Sequence, residues 1–441
     1  MADNTSLGAA KTAKNDEFYT QYSDIEAEMN AYVEYNPDVF RDKTILLPCD
    51  DPEWSNFTRY FASNFERFGL KKLISTSYAK SAGSQQLTMF ESSSPLFDVG
   101  KHDTHGKLFT LSRDADGSGN IDLDDIEFSG YLEGDGDFRS KEVCALRDEA
   151  DIIITNPPFS LLREFLAWIL EAGKQFIIIG NIHAISYKEV FPLLKNNKIW
   201  LGPGFPGGNA YFRISEKDIR AFASGVYNEN TGLVKFRNVG WFTNIDHGGR
   251  HEELQLDTMA HNLKFNKKLR KKLEADFGIV EYPHYDNYDA IEVPMIDAIP
   301  SDYDGMMGVP TTFMGKYNPD QFEIIGIPMA SSNDGSLNLG IDYSKHIGYK
   351  QDGTKTGRTG STFGACPVFE RNDKKSRFPV TNRPETRIHS QKPIQTSPCG
   401  RGRKRKEVRS WIRWMRSTSG TRGPFTGTSC PLRGAKTSRK S

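Results

Sequence analysis

The chain has 441 residues, enough for two or three domains of roughly 150 residues each. Hydrophobic residues make up 37% and aromatic residues 12%, a composition that fits a globular protein and argues against disorder throughout. The 5 cysteines show no metal-binding spacing, the polar N-terminus lacks the apolar core of a signal peptide, and no apolar run reaches the roughly 20 residues that cross a bilayer. We therefore expect a soluble, cytoplasmic protein without a disulfide framework or a membrane partner.

The net charge of zero conceals two regions of opposite charge. From Arg371 to Ser441 there are 20 Lys and Arg residues against 3 Asp and Glu, whereas the rest of the chain holds 37 basic and 54 acidic residues. We predict a basic tail over 372–441, with two alternatives. It is a disordered arm that helps to hold nucleic acid, or it is a frameshifted translation that was never selected to fold.

The first part of the chain alternates strand and helix signals. Helical spacing follows over 55–68 and again over 160–173, where Ser160 is placed as the N-cap and Gly173 as the stop. The predicted strands are TILLP (44–48), KKLIST (71–76), ADIIIT (150–155) and QFIIIG (175–180). This alternation predicts an α/β fold with a parallel, doubly wound sheet, in which ligands bind at the carboxyl ends of the strands. We assign it to a catalytic domain over 1–204.

From about residue 205 the pattern changes to Gly, Pro, Asn and aromatic residues, with strand-like pieces such as LVKFRNVGWFTNI (233–245) among loops. We predict a second, mixed region over 205–371 that carries target recognition. Its basic helical stretch, KFNKKLRKKLE (264–274), is either a solvated face or a phosphate contact. The two histidines of DHGGRH (246–251) do not predict a metal site, because the glycines between them disfavour the helix that such a pair needs. We predict no metal.

The strongest chemical signal is DIIITNPPFS (151–160). A buried strand ends at Asn156, Pro157 and Pro158 then restrict the backbone, and Phe159 precedes a helix. The Asn156 side-chain oxygen and the Pro157 carbonyl can accept hydrogen bonds from the exocyclic amine of a base, which localises the nitrogen lone pair and makes it a better nucleophile. Phe159 offers a face on which a base that has left the duplex can stack.

NPPF resembles the motif of S-adenosyl-L-methionine-dependent amino methyltransferases. Over roughly 14–370 the chain also resembles the EcoRI-type adenine-specific DNA methyltransferase family. The segments that carry this resemblance are KNDEFYTQ, TILLPCDDPEWSNFTRYF, EGDGDFRS, ADIIITNPPFSLLREFLAWI, GWFTNIDHGGRHEELQL and YDNYDAIEVPMIDAIPSDYDGMMGVPTTFM. The resemblance implies a Rossmann-like methyltransferase sheet, S-adenosyl-L-methionine as the cofactor and double-stranded DNA as the substrate. It also implies a bacterial or phage modification enzyme, expected to be a monomer, that acts alone or with a cognate restriction endonuclease.

The resemblance implies two segments that hold the methionine end of the cofactor. Phe18, Tyr19 and Thr20 resemble a motif whose backbone and hydroxyl groups contact that end. Asp50 and Asp51 follow the first strand and can accept hydrogen bonds from the α-ammonium or the ribose hydroxyls. The Gly-rich turn usual at this position is replaced here by DDPEW.

A third segment, GDGDF, resembles the motif that contacts the adenine of the cofactor. The resemblance implies that Asp137 accepts a hydrogen bond from the adenine amine and that Phe138 packs on its ring. Each of these acidic segments is otherwise an ordinary solvated loop.

Two alternatives to DNA methylation remain open. NPP motifs also serve enzymes that methylate RNA or protein glutamine. A non-enzymatic calcium-binding protein is the other alternative, since Asp114, Asp116 and Asp125 of DADGSGNIDLDD stand at positions 1, 3 and 12 of a calcium loop. Two features argue against the calcium-binding alternative. GKLFTLSR (106–113) is predicted to be a strand where an EF-hand needs a helix, and Asp125 stands where a bidentate Glu is usual.

Overall fold

The computed structural model describes residues 19–48, 50–52, 54–79, 89–205, 208–214, 225–284 and 290–326, and the backbone of 368–371. Phe18 and the predicted basic tail over 372–441 lie outside these residues.

The described residues form nine α-helices and sixteen β-strands. Up to residue 181 these are β1 (Tyr19–Thr20), α1 (Tyr22–Tyr35), β2 (Thr44–Leu47), α2 (Asn56–Ser63), α3 (Phe65–Phe68), β3 (Lys72–Thr76), α4 (Met89–Ser92), β4 (Lys107–Leu111), β5 (Glu127–Tyr131), α5 (Lys141–Glu149), β6 (Ile152–Thr155), α6 (Leu162–Glu171) and β7 (Gln175–Asn181). The later ones are α7 (Phe191–Lys195), β8 (Trp200–Leu201), β9 (Ala210–Arg213), β10 (Tyr227–Asn228), β11 (Leu233–Phe236), β12 (Val239–Thr243), α8 (Met259–Phe265), α9 (Lys267–Phe277), β13 (Ala290–Glu292), β14 (Met306–Gly308), β15 (Phe322–Gly326) and β16 (Val368–Arg371).

An eight-stranded sheet forms the centre of the fold, in the order β5-β4-β3-β2-β6-β7-β12-β8. The four strands predicted from the sequence, β3, β2, β6 and β7, pair in parallel. All other pairs in the sheet are antiparallel. The predicted parallel, doubly wound sheet is therefore corrected to a mixed sheet with a parallel centre. No α-helix joins β4 to β5, and the acidic turn between them returns the chain in the antiparallel direction.

Every residue of β2 and β6 is buried, as expected for parallel strands that are covered on both faces. On one face, Ile45 and Ile152 belong to a core cluster with Met29 of α1 and Phe61 of α2. This cluster contains many aromatic side chains and continues to Trp241 of β12, which is buried as well. Because helices cover them, the β-branched strands can lie at the parallel centre of the sheet without contact with solvent.

The order of the parallel strands reverses between β2 and β6. The chain runs from β2 outward to β3 and later returns past β2 to β6 and β7. Loops that leave the carboxyl ends of β2 and β6 must therefore diverge, and the crevice between them is where α/β sheets bind ligands. Asn156 follows β6 directly, and Asp50 lies in the loop that leaves the end of β2.

Two local predictions need refinement. The helix predicted over 160–173 begins at Leu162, after a 3₁₀ turn over Phe159–Leu161, and Ser160 lies inside this turn instead of capping the helix. The chain leaves the two prolines through this 3₁₀ turn, which is wound more tightly than an α-helix, so the α-helix begins later than the sequence predicted. Gly173 ends the helix with a φ of +64°, as predicted.

Two smaller four-stranded sheets complete the described fold, in the orders β1-β9-β11-β10 and β13-β14-β16-β15. In the first, β1 pairs with β9, so residues near the start of the chain join residues 210–213. Strand β12 pairs with β7 of the central sheet. Segments before and after residue 204 therefore share two sheets. No helix within the described ranges is long and apolar enough to cross a membrane.

Candidate active site

The loop after β2 carries two buried carboxylates, with Asp50 8% and Asp51 7% exposed. Ser55 donates to Asp50 Oδ1 (2.7 Å) and accepts from the N–H of Phe57 (3.1 Å). The same hydroxyl therefore caps α2 and orients the Asp50 carboxylate. Thr58 donates to the Asp50 carbonyl (3.0 Å). The loop is thus held against the first turn of α2, where the helix dipole stabilises negative charge.

The NPPF segment lies beside this loop. Thr155, the last residue of β6, donates from Oγ1 to the carbonyl of Pro48 (3.0 Å), which ties the ends of β2 and β6 together. Pro157 is buried and Asn156 is half-buried, with its Oδ1 withdrawn from solvent. The structure therefore places the predicted catalytic residues at the crevice where the strand order reverses.

Half-buried Phe159 contacts two aromatic side chains of the small sheet. Its ring meets Phe212 of β9 at 6.3 Å and Phe236 of β11 at 6.2 Å, edge to face in both pairs. Sequence reasoning missed Phe212 and Phe236. Nothing local in the sequence of β9, AYFR, indicated that this strand would pack on the NPPF turn.

The same sheet brings Tyr19 and Thr20 to the crevice. Thr20 pairs with Phe212, and its carbonyl accepts from Asn56 Nδ2 (2.7 Å) at the start of α2. The Thr20 hydroxyl is buried and has no hydrogen-bond partner among the described residues. A buried hydroxyl of this kind is a group that a bound ligand would satisfy.

The GDGDF loop meets the carboxyl end of β3. Ala79 donates to the carbonyl of Asp135 (2.8 Å). Gly136 has a φ of +84°, and a Cβ there would lie 2.3 Å from the carbonyl oxygen of Ser77. A Cβ on Gly106 would lie 2.6 Å from the Gly136 Cα. Only glycine allows these backbones to approach so closely, and sequence reasoning gave neither glycine a role.

The two residues predicted for the cofactor adenine already have protein contacts. The Asp137 carboxylate is half-buried and accepts from Arg139 Nε (2.9 Å) and Nη2 (2.6 Å). Phe138 is 4% exposed, and its ring contacts Phe165 (5.0 Å) and Trp168 (5.5 Å) of α6. The loop therefore lies at the same edge as the crevice, with Phe138 packed in the core.

The acidic turn over 114–125 is organised by its own backbone. The carboxylates of Asp114, Asp116 and Asp125 offer oxygens within 4.8 Å of one another. Asp125 accepts backbone hydrogen bonds from Ala115 (2.7 Å), Asp116 (3.1 Å) and Asp122 (2.9 Å). Burial opposes ionisation of Asp125, but these hydrogen bonds outweigh it and lower its pKa. Strands β4 and β5 flank the turn, so it lacks the helix pair of an EF-hand.

The two histidines of DHGGRH contact different partners. His247 is buried, which lowers its pKa, and its Nε2 lies 3.0 Å from the carbonyl of Leu201. His251 pairs with Asp246 at 3.0 Å. A 3₁₀ turn over Gly248–Arg250 separates them. The segment follows β12, and His247 holds it against the edge strand β8.

The chain matches known proteins over the whole region that contains the crevice. The family described as adenine-specific methyltransferase EcoRI matches residues 6–371, and this match ends where the basic tail begins. The chain is 41% identical over 325 residues to the type II methyltransferase M.EcoRI of Escherichia coli, which covers 74% of this chain and 89% of that protein. It is 32% identical over 321 residues to the type II methyltransferase M.MpnI of Mycoplasma pneumoniae, which covers 72% of this chain and 83% of that protein. No solved structure matches the chain. With NPPF at a strand end and this extent of similarity, the chain belongs to the EcoRI family of adenine-specific methyltransferases.

Proposed function

We propose that this protein transfers the methyl group of S-adenosyl-L-methionine to the exocyclic amine of an adenine that has been flipped out of a specific site in double-stranded DNA. The observation that carries the proposal is the position of Asn156 and Pro157 at the end of β6, in the crevice next to Asp50 and Asp51. The family is adenine-specific, and the named relatives are type II methyltransferases. Family membership favours this enzymatic prediction over the calcium-binding one.

The chemistry assigned to NPPF follows from its acceptors. Asn156 Oδ1 and the Pro157 carbonyl would each accept one N–H of the target amine, which draws the nitrogen toward a tetrahedral geometry and directs its lone pair away from the base. S-adenosyl-L-methionine supplies the electrophilic methyl group when bound, and the amine proton that is displaced passes to water. The prolines hold both acceptors in place before the base arrives, so little reorganisation is needed during the reaction. Phe159 would stack on the base, supported from behind by Phe212 and Phe236.

The residues around the crevice fit the charge of the methionine end of the cofactor. Asp50 and Asp51 are buried carboxylates suited to the α-ammonium or to ribose hydroxyls, and the buried Thr20 hydroxyl adds a polar group to the same edge. Phe18 and Tyr19 remain predicted contacts of this end.

The adenine of the cofactor is proposed to meet the GDGDF loop. The Asp137 carboxylate would accept a hydrogen bond from the adenine amine beside those that it accepts from the side chain and backbone of Arg139. Phe138 remains the predicted packing partner of the adenine ring. The parallel centre β3-β2-β6-β7 supports the further proposal that the central sheet is the Rossmann-like methyltransferase sheet. We propose a monomeric enzyme of the bacterial or phage-infected cytoplasm, acting alone or with a cognate restriction endonuclease.

The variant Asn156→Ala tests the assignment of catalysis. We expect kcat for tritiated-methyl transfer to duplex DNA to fall by at least about 100-fold, the usual cost of losing one preorganised hydrogen-bonding group, with cofactor affinity unchanged. Asn120→Ala, in the exposed acidic turn, is the matched control and should keep full activity. Unchanged activity of Asn156→Ala would contradict the role given to NPPF. Methylation of RNA or of protein glutamine by the unaltered protein, without methylation of DNA, would overturn the DNA substrate.

A further inference from the structure

Helix α9 is amphipathic, and its outer side is basic. Asn266 caps it by accepting from the N–H of Leu269 (3.0 Å), and Gly278 ends it with a φ of +73°. Leu269, Leu273 and Phe277 are buried and fasten the helix to the protein. The exposed cations of the helix are Lys267, Lys268, Arg270 and Lys271.

No described residue neutralises these four cations. Among the described residues none of them takes part in an ion pair, whereas the next cation, Lys272, pairs with Asp276 at 3.0 Å. Up to residue 370 the chain holds 37 basic and 54 acidic residues, so the charge of this surface is opposite in sign to the net charge of that part of the chain. A solvated helix face usually mixes both signs. In α9 the acidic residues are Glu274 and Asp276, which both follow the four cations, and Asp276 is the one that pairs with Lys272.

An exposed aromatic side chain adjoins the basic surface. Phe265, at the end of α8, is 56% exposed, and its ring lies 4.4 Å from the ring of His261. Lys264 Nζ lies 5.0 Å from the centre of the Phe265 ring. An aromatic ring between cations suits a partner that combines negative charge with flat apolar groups, as nucleic acid does.

We propose that α9, with Lys264 and Phe265 of α8, contacts the phosphate backbone of the DNA substrate; this inference rests on the proposed function. Lys267 and Lys271 are one turn apart, so their side chains lie on the same side of the helix, away from the buried Leu269. Contacts of this kind set the position of the enzyme on the duplex and do not read its sequence. The surface therefore contributes affinity that is the same for every DNA sequence and is sensitive to salt.

The double variant Lys267→Gln/Lys271→Gln tests the proposal through binding, measured by fluorescence anisotropy with a labelled duplex of mixed sequence. Removing two phosphate contacts makes the dependence of log K on log salt less steep by about 2. The loss of affinity between about 50 and 200 mM salt should therefore shrink about 10-fold relative to the unaltered protein. In methyl transfer, KM for DNA rises while kcat is kept. Lys267→Arg/Lys271→Arg restores the original slope, because it keeps both charges.

The matched control is Lys43→Gln/Lys71→Gln. These lysines precede β2 and β3, at the edge of the sheet opposite the crevice, and the change removes the same charge. The control should keep the original salt dependence. An unchanged slope for the α9 variant, or an equal change for the control, overturns the proposed surface. Failure of the unaltered protein to methylate any DNA counts instead against the proposed function.

Discussion

Glu28 lies completely buried in α1, beneath the loop that follows β8. Its carboxylate accepts from the Tyr32 hydroxyl (2.8 Å) and from the N–H of Gly204 (3.1 Å). Burial raises the pKa of Glu28 from 4.5 to about 8, and the two hydrogen bonds offset only part of this effect. The carboxyl is therefore neutral in the folded protein at pH 7.

This raised pKa makes the stability of the protein depend on pH. Below pH 4.5 the Glu28 carboxyl is protonated in both the folded and the unfolded state, so it does not make the free energy of unfolding depend on pH there. As the pH rises from 4.5 to about 8, the unfolded chain releases the proton while the folded protein retains it, and stability falls. A pKa difference of about 3.5 corresponds to a loss of about 5 kcal/mol across this window.

The variant Glu28→Gln should remove this loss, because an amide does not ionise. The amide nitrogen cannot accept a hydrogen bond, so one of the two contacts is lost, at a cost of about 1 kcal/mol. We therefore expect the variant to be about 1 kcal/mol less stable than the unaltered protein at pH 4.5 and about 4 kcal/mol more stable at pH 8.

Urea unfolding followed by tryptophan fluorescence at several pH values measures the difference. Comparing the two proteins at each pH isolates Glu28 from other titrating groups, such as Asp24, whose pKa burial raises to about 6. Glu26→Gln, on the exposed side of the same helix, is the control and should leave the pH dependence unaltered. If Glu28→Gln loses as much stability as the unaltered protein between pH 4.5 and 8, the reasoning is refuted.

Three further predictions concern the crevice and its supports. Gly136→Ala should weaken cofactor binding and lower stability in calorimetry and urea unfolding, because its Cβ would meet a carbonyl oxygen at 2.3 Å; Gly117→Ala, with φ +77° and open space, should show only the backbone strain of about 1 kcal/mol. Thr20→Val should reduce affinity for S-adenosyl-L-methionine without loss of stability, since its buried hydroxyl has no hydrogen-bond partner among the described residues; an unchanged dissociation constant would contradict its role. Lys107→Met should cost about 3 to 5 kcal/mol in urea unfolding, because it removes the fully buried cation that pairs with the Glu91 carboxylate at 2.6 Å, and a cost below about 1 kcal/mol would be inconsistent with a buried pair.

Several features of this protein follow from local sequence. The strands β2, β3, β6 and β7 were predictable because short β-branched runs between turn signals have few other ways to bury their side chains. NPPF was recognisable for a related reason, since an asparagine, two prolines and an aromatic residue at a strand end impose a local geometry and a chemistry together. Asn156 could therefore be named before the fold was known.

The partners of these segments depended on the tertiary structure. Strand β12 pairs with β7 although about 60 residues separate them, and β1 pairs with β9 across a still longer stretch of chain. Pairing over such distances leaves no periodic signal in either segment, so the aromatic wall of Phe212 and Phe236 behind Phe159 was not predictable.

The sequence by itself determined the parallel strands, the NPPF turn and, through resemblance, the family. Only the tertiary structure decided which side chains meet and which are removed from water. Glu28 appears in the sequence as one more acid on a polar helix, yet the folded chain buries it completely, and this burial raises its pKa to about 8. The physical reason is that the pKa of a carboxyl depends on the solvent around it, and solvent is excluded by residues far away in the chain.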